Sequence, residues 1–196
     1  HALQGSATSS PVSGETRTVE AVVVGDFQGA DQLGGFFVQE ETADQDADAA
    51  TSEGIFVSDG SVPLLDVAAG QRVRLTGRVT EMDGATALTT LTRAVDCGAA
   101  DLPAPVTVSL PAPDPAWWEQ VEGMRIAFDE ALTVAGSDEL AAAGRLTLVS
   151  GARPLAYTQQ HAPNVTGYAA FCADLDARAV LLDDGSDRSY PDPIRY

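Results

Sequence analysis

Residues 67–91 read VAAGQRVRLTGRVTEMDGATALTTL, and this stretch decides the fold. Between residues 72 and 79, arginine or threonine alternates strictly with apolar or small residues, namely Val73, Leu75, Gly77 and Val79. A period of two residues indicates a β-strand with one buried face. Asp83-Gly84 is a tight-turn signal, after which residues 85–88 begin a return strand. The stretch therefore predicts a β-hairpin with an apolar inner face and an arginine-bearing outer face.

Three further strands are predicted before this hairpin, each bounded by glycine-rich or polar turns. They cover residues 16–24, 36–40 and 54–57. A last strand is expected near residues 91–95. Five short strands over about 95 residues are typical of a small antiparallel barrel of the OB type, so we expect an OB-fold-like domain at residues 1–96.

The remaining chain predicts a linker and a second β unit. The linker, residues 97–115, carries five of the 11 prolines and one extended strand. A short helical turn follows, and residues 116–196 predict strands, one or two short helices, a loop over 150–170 and a polar tail. This all-β half resembles the first but has no counterpart of the 70–88 hairpin. We therefore expect an incomplete second OB-like unit, whose parent protein continues past Tyr196.

The charge of the chain is strongly one-sided. Acidic residues number 29 against 11 basic ones, which gives a net charge of -18, and no residue is lysine. Such a surface is soluble and self-repelling, and it opposes nucleic-acid binding unless positive charge is concentrated locally. Without lysine the chain also lacks a Walker A phosphate loop.

An acidic loop covers residues 40–53 and holds six carboxylates and no base. The alternating Asp44, Asp46 and Asp48 would offer oxygen ligands to calcium. An EF-hand is excluded, because Ala49 stands where the loop needs glycine and Ile55 where it needs glutamate. A calcium site of another kind and a solvated acidic loop both remain open.

Two cysteines, Cys97 and Cys172, are too few for a zinc site with the two distant histidines. In a protein of secreted character they predict one disulfide that closes a loop of about 75 residues. Two buried thiols are the alternative.

Motifs of common hydrolases are absent from the sequence. Residues 25–28, Gly-Asp-Phe-Gln, nearly match the GDFN metal-site motif of endonuclease/exonuclease/phosphatase enzymes, but the partner motifs of that site are missing. We interpret residues 25–28 as a turn that ends the first strand.

The outer surface of the predicted barrel carries the best candidate for ligand binding. Phe37 and Phe56 lie opposite the core residues of their strands, and Arg72, Arg74 and Arg78 lie on the outer face of the hairpin. OB barrels bind single strands by stacking bases on aromatic rings and by contacting phosphates with basic side chains. The alternative is that other segments cover the two phenylalanines and that the arginines only keep the strand face solvated.

Several stretches resemble the N-terminal YhcR-like OB-fold region of large secreted bacterial nucleases, the extracellular ExeM/NucH-like group. They occur in the same order over nearly the whole chain: residues 1–29, 33–57, 67–81, 118–124, 144–151 and 179–194. The first two are the more specific. In that family the metal-dependent catalytic domain lies downstream, and none of its motifs falls within residues 1–196.

The resemblance implies an extracellular, non-catalytic accessory module that positions nucleic acid or scaffolds the nuclease domain of the same polypeptide. The expected partners are that domain and single-stranded DNA or RNA, with no membrane partner. A purely structural spacer, stabilised by calcium, is the alternative. Nuclease activity within the chain itself is a weaker one.

Overall fold

The computed structural model describes residues 2–46 and 48–194. We expected an all-β chain; strands hold 37% of it and helices 15%, so the chain is mostly β rather than all-β. The chain divides into two compact units. The first comprises the chain up to Val106 together with Asp114–Ala127, and the second comprises Thr107–Pro113 and the chain from Phe128 on. Tyr196, where we expect the parent chain to continue, lies outside the described residues.

Five strands build the first unit: β1 (Thr16–Phe27), β2 (Gly35–Gln39), β3 (Gly54–Ser58), β4 (Gln71–Met82) and β5 (Ala85–Ala99). They pair in the order β1-β2-β3-β5-β4, and β4 returns to β1 to close the ring. All pairs are antiparallel except β3 with β5. The ring is irregular, because β1 and β4 carry register shifts and the parallel pair is only two residues long.

The 67–91 hairpin forms as its alternation predicts. Val73, Leu75 and Val79 are fully buried, while Arg74 and Arg78 on the other face are exposed. The turn holds Asp83 and Gly84 at φ values of 54° and 89°, the left-handed conformation that a tight hairpin turn requires. The return strand is longer than expected and runs as one element to Ala99. Buried side chains from all five strands fill the ring: Ala21, Val23, Phe36, Val38, Ile55, Val57, Val73, Leu75, Val79 and Leu88.

A 3₁₀ helix (Pro115–Val121) also belongs to the first unit. Its start follows the sequence pattern, since the Asp114 side chain accepts a hydrogen bond from the Trp117 amide and proline occupies the first position. Two short paired strands, β6 (Val106–Val108) and β7 (Ile126–Phe128), each begin in this unit and end in the second.

The second unit holds a three-stranded antiparallel sheet and three α-helices. The strands, in sheet order, are β10 (Ala179–Asp183), β9 (Arg145–Val149) and β8 (Thr133–Gly136). The helices are α1 (Leu140–Ala143), α2 (Tyr157–Gln160) and α3 (Val165–Arg178). Among the described residues of this unit, the buried apolar side chains are Val108 and Val149. Within the part of the chain described, no helix combines the length and apolar character needed to cross a membrane.

The sequence prediction was wrong about α3. We expected one or two short helices and a loop over residues 150–170, whereas α3 alone has 14 residues. Asn164 begins this helix, because its side chain accepts a hydrogen bond from the Gly167 amide at 2.9 Å. The alanine-rich run after it favours a helix by intrinsic propensity.

Candidate functional site

The two predicted phenylalanines lie side by side on neighbouring strands. Phe37 of β2 pairs with Phe56 of β3, and their ring centroids are 4.9 Å apart. Phe27 at the end of β1 packs edge-on against Phe37 at 5.9 Å. Phe56 is only 9% exposed, while Phe37 is half-buried. Phe56 therefore offers little ring surface for a stacked base, and Phe37 offers more.

The predicted arginines of β4 face acidic partners on neighbouring elements. Glu20 of β1 lies opposite Arg74 and accepts hydrogen bonds from its Nη2 at 2.5 Å and its Nε at 2.8 Å. Arg72 pairs with Glu41 at 3.3 Å and with Glu20 at 3.7 Å. The hydrogen bond and charge of Glu20 raise the pKa of Arg74 above its usual value. Most of the positive charge expected on this face is thus matched by carboxylates.

The structure does not gather the five predicted residues into one site. Arg74 and Arg78 pair with residues 20 and 16 on the first half of β1, whereas Phe37 pairs with Gly25 on its second half. Arg78 is exposed, and no ion pair to it occurs within residues 2–46 and 48–194. One arginine without an ion pair supplies little local positive charge for binding a polyanion such as nucleic acid.

A short segment after the 3₁₀ helix covers the outer side of β3, and we call residues 122–125 the strap. A side chain at Gly54 would lie 2.6 Å from the Met124 nitrogen and closer still to the Gly123 carbonyl. The two backbones therefore touch directly, which only glycine at position 54 permits. Gly123 itself has a φ of 69°.

Side-chain hydrogen bonds fix the strap to the ring. The Ser52 hydroxyl donates to the Glu122 carbonyl at 2.6 Å, and the Thr86 amide donates to Glu122 Oε1 at 2.9 Å. The side-chain nitrogen of Gln4, Nε2, donates to Glu122 Oε1 at 3.1 Å and to the Gly54 carbonyl at 2.8 Å. Burial raises the pKa of the Glu122 carboxyl above its usual value, against the opposing effect of the hydrogen bonds it accepts.

At the far end of the strap, the Arg125 amide donates to Gln39 Oε1 at 3.0 Å, and Arg125 Nη1 donates to the Pro103 carbonyl at 2.5 Å. Phe27, Phe37, Met124 and Arg125 line a shallow cleft of about 390 Å³. Sequence reasoning missed Phe27 and Arg125 as members of this surface. Phe27 is placed by the pairing of β1 with β2, and Arg125 is placed by the strap, for which the sequence carries no local signal beyond Gly54 and Gly123.

The aspartates of the acidic loop do not converge on a cation site. The described residues contain no group of three or more His, Cys, Asp or Glu side chains placed to hold a metal. Instead Asp46 accepts a hydrogen bond from the Asp48 amide at 2.8 Å, and Asp48 accepts one from the Ala50 amide at 3.0 Å. These are local turns, and the described residues do not group Asp44, Asp46 and Asp48 as metal ligands.

The Gly-Asp-Phe-Gln segment has a structural role. Gln28 donates from Nε2 to Asp59 at 2.5 Å and to the Leu65 carbonyl at 2.9 Å, and its Oε1 accepts from the Val67 amide at 3.0 Å. Burial raises the pKa of Asp59. This network joins the end of β1 to the loop before β4. The prediction of a turn over residues 25–28 was wrong, because Gly25, Asp26 and Phe27 continue β1 and pair with β2.

The predicted disulfide is not formed either. Cys97 in β5 and Cys172 in α3 are both free and half-buried. The Cys97 thiol lies 3.8 Å from the Val95 carbonyl of its own strand, within hydrogen-bond reach for sulfur.

No family model, no curated protein and no solved structure matches this chain. The resemblance to the accessory region of secreted nucleases therefore stays a prediction.

Proposed function

We propose that this chain is a non-catalytic accessory module of a secreted bacterial nuclease, built on an OB-type barrel, and that its role there is to scaffold the enzyme. The OB assignment is supported by the ring order β1-β2-β3-β5-β4, by the parallel pairing of β3 with β5, and by β1, which pairs with both β2 and β4. Fold alone does not give function, so the role is argued from the surface.

The observation that carries the scaffold role is the strap. Strands 2 and 3 provide the nucleic-acid face of OB folds, and here the strap lies on β3 and contacts it through Gly54. Two of the three arginines of β4, Arg72 and Arg74, are paired with Glu41 and Glu20. The module thus uses this face to hold its own chain where that chain leaves the ring.

Fluorescence anisotropy of a labelled single-stranded oligonucleotide tests this role. With a single-strand-binding protein as positive control, we expect no salt-sensitive binding up to about 100 µM chain, where typical non-specific affinity registers. Salt-sensitive binding that is lost in Arg74→Glu would contradict the scaffold role and restore the face predicted from the sequence. Hydrolysis of the oligonucleotide with Mg²⁺ present would restore the nuclease alternative.

Positioning of nucleic acid is the second candidate, and the cleft of Phe27, Phe37, Met124 and Arg125 is the observation that favours it. It is lined by a half-buried aromatic residue, Phe37, and by an arginine, Arg125, the residue types that single-strand binders use for a base and its phosphate. In the same titration, binding that is lost in Phe37→Ala and kept in Arg74→Glu would establish this second function.

A further inference from the structure

A cavity of about 460 Å³ lies between the first half of β1 and the strands β2 and β3, wholly within the first unit. β1 pairs with β4 from Thr16 to Val22, but it pairs with β2 only from Val22 onward. Among the described residues, the segment 16–21 therefore has a strand partner on one side only. Residues 17–21 of this segment line the cavity. We call the side of residues 16–21 that faces away from β4 the free edge.

The pairing pattern shows which backbone groups lie on the free edge. The Val79 amide of β4 donates to the Glu15 carbonyl just before β1, and in an antiparallel pair such bonds recur at every second residue. The odd-numbered residues of the segment thus direct their N–H and C=O groups to β4. Thr18 and Glu20 direct theirs to the free edge, where no group of the described residues forms a backbone hydrogen bond with them.

Apolar side chains form much of the cavity wall. Leu3 and Val12 line it from the segment before β1, and Val19, Val38 and Ile55 line it from the three strands. Val38 and Ile55 are part of the buried core, and the other three pack against that core. An unpaired strand edge beside an apolar cavity is the arrangement by which proteins bind an extended peptide, since the edge supplies backbone hydrogen bonds and the cavity takes alternate side chains.

The charges of the lining do not select an ion as the ligand. Arg17 pairs with Glu15, and Glu20 pairs with Arg74. A second copy of the chain is disfavoured as well, because two molecules of net charge -18 repel each other. The cavity has the size of an ordinary ligand pocket, which suits the side chains of one added strand.

We propose that this cavity binds an extended segment of a partner protein, which adds a strand to β1 along residues 16–21. At about 3.3 Å per residue the free edge is about 20 Å long, so the added strand has about six residues. Every second side chain of that strand enters the cavity, so the bound segment carries apolar residues at alternate positions. This site is separate from the scaffold role, since it requires neither the strap nor nucleic acid.

Amide hydrogen exchange of the full chain, measured by NMR with and without a peptide, tests the proposal. In the free chain we expect the Thr18 and Glu20 amides to exchange near their intrinsic rates, while the Val19 and Ala21 amides, which face β4, are protected. The probe is the capped peptide Thr-Val-Arg-Val-Thr-Leu at concentrations up to about 5 mM. It should shift the Thr18 and Glu20 signals saturably and slow their exchange at least about tenfold.

Two matched peptides separate strand addition from general stickiness. A peptide of the same composition in the order Val-Val-Leu-Thr-Arg-Thr lacks the alternation and should bind at least about tenfold more weakly. Methylation of the backbone nitrogens at one alternate set of positions in the probe should abolish binding, because those N–H groups face β1, and methylation of the other set should be tolerated.

A pair of variants at one position locates the site. Thr18→Pro removes a donor of the free edge and leaves the ladder with β4 intact, since proline is tolerated where the N–H faces away from the sheet. It should lower the peptide affinity at least about tenfold. Thr18→Ala loses the hydroxyl contact with Thr76 at 2.9 Å but keeps the amide, so it should bind like the natural chain.

Four results would overturn the proposal. They are protected Thr18 and Glu20 amides in the free chain, no saturable shift with the probe, equal effects of the two methylation patterns, and unchanged affinity in a folded Thr18→Pro chain. Protection at Thr18 and Glu20 that rises with chain concentration would assign the free edge to a second copy and would overturn the proposal in the same way.

Discussion

Gly54→Ala is the substitution that most directly perturbs the strap. The new methyl group would overlap the Gly123 carbonyl and lie 2.6 Å from the Met124 nitrogen, and both are backbone atoms that cannot rotate away. The strap must therefore lift from β3. Four hydrogen bonds fix it, from Ser52, Thr86 and Gln4 to Glu122 and from the Arg125 amide to Gln39.

A net value of about 1 kcal/mol for each hydrogen bond gives a loss of about 2–4 kcal/mol in the free energy of unfolding, because some of the bonds re-form after the shift. Urea unfolding followed by tryptophan fluorescence is the assay. Both tryptophans lie in the first unit, so the signal reports that unit.

Gly25→Ala is the matched control, since the nearest atoms to a methyl group there belong to the Phe27 ring, a side chain that can move. We expect this control to lose less than about 1 kcal/mol. If Gly54→Ala unfolds at the same urea concentration as Gly25→Ala, the direct backbone contact between β3 and the strap is wrong.

Three more predictions concern titration, core packing and the thiols. Burial raises the pKa of Glu122 above 4.5; its contribution to stability is therefore fully present below pH 4.5 and is lost as the pH rises through the folded-state value. The stability of Glu122→Gln relative to the natural chain should thus increase from pH 4.5 to 7 in urea titrations, and a pH-independent difference would refute this. Leu75→Ala should cost about 2–5 kcal/mol in the same assay because Leu75 is fully buried, while Leu155→Ala, at a site 53% exposed, should change little. Ellman's reagent should titrate two thiols in the denatured, non-reduced chain, and a count of zero would restore the disulfide between Cys97 and Cys172.

Local patterns predicted the strands of the first unit well. The alternation over 72–79 and the Asp83-Gly84 turn are encoded in adjacent residues, and the hairpin follows them. In the same way, β2 and β3 begin within one residue of the predicted positions. The long helix α3 was missed because Asn164, which begins it, lies within residues 150–170, for which a loop was predicted.

The candidate site was predicted less well, because its geometry depends on distant pairings. Arg74 meets Glu20 through a register between β1 and β4 that joins residues 54 positions apart. The contact of Gly54 with Gly123 joins residues still further apart. Neither distance has a signature in a single sequence, so the sequence did not show that carboxylates match Arg72 and Arg74 on this strand face.

Hydrogen exchange of backbone amides, measured by NMR on the intact chain, tests the closed strap most directly. The Arg125 and Thr86 amides donate to side-chain oxygens only while the strap lies on the ring. An opening free energy of about 2–4 kcal/mol gives protection of roughly 30- to 1,000-fold at both amides. We expect this protection to disappear at both positions in Gly54→Ala while Leu75 stays protected. Exchange of the Arg125 amide at its intrinsic rate in the natural chain would contradict the covered face on which the scaffold role depends.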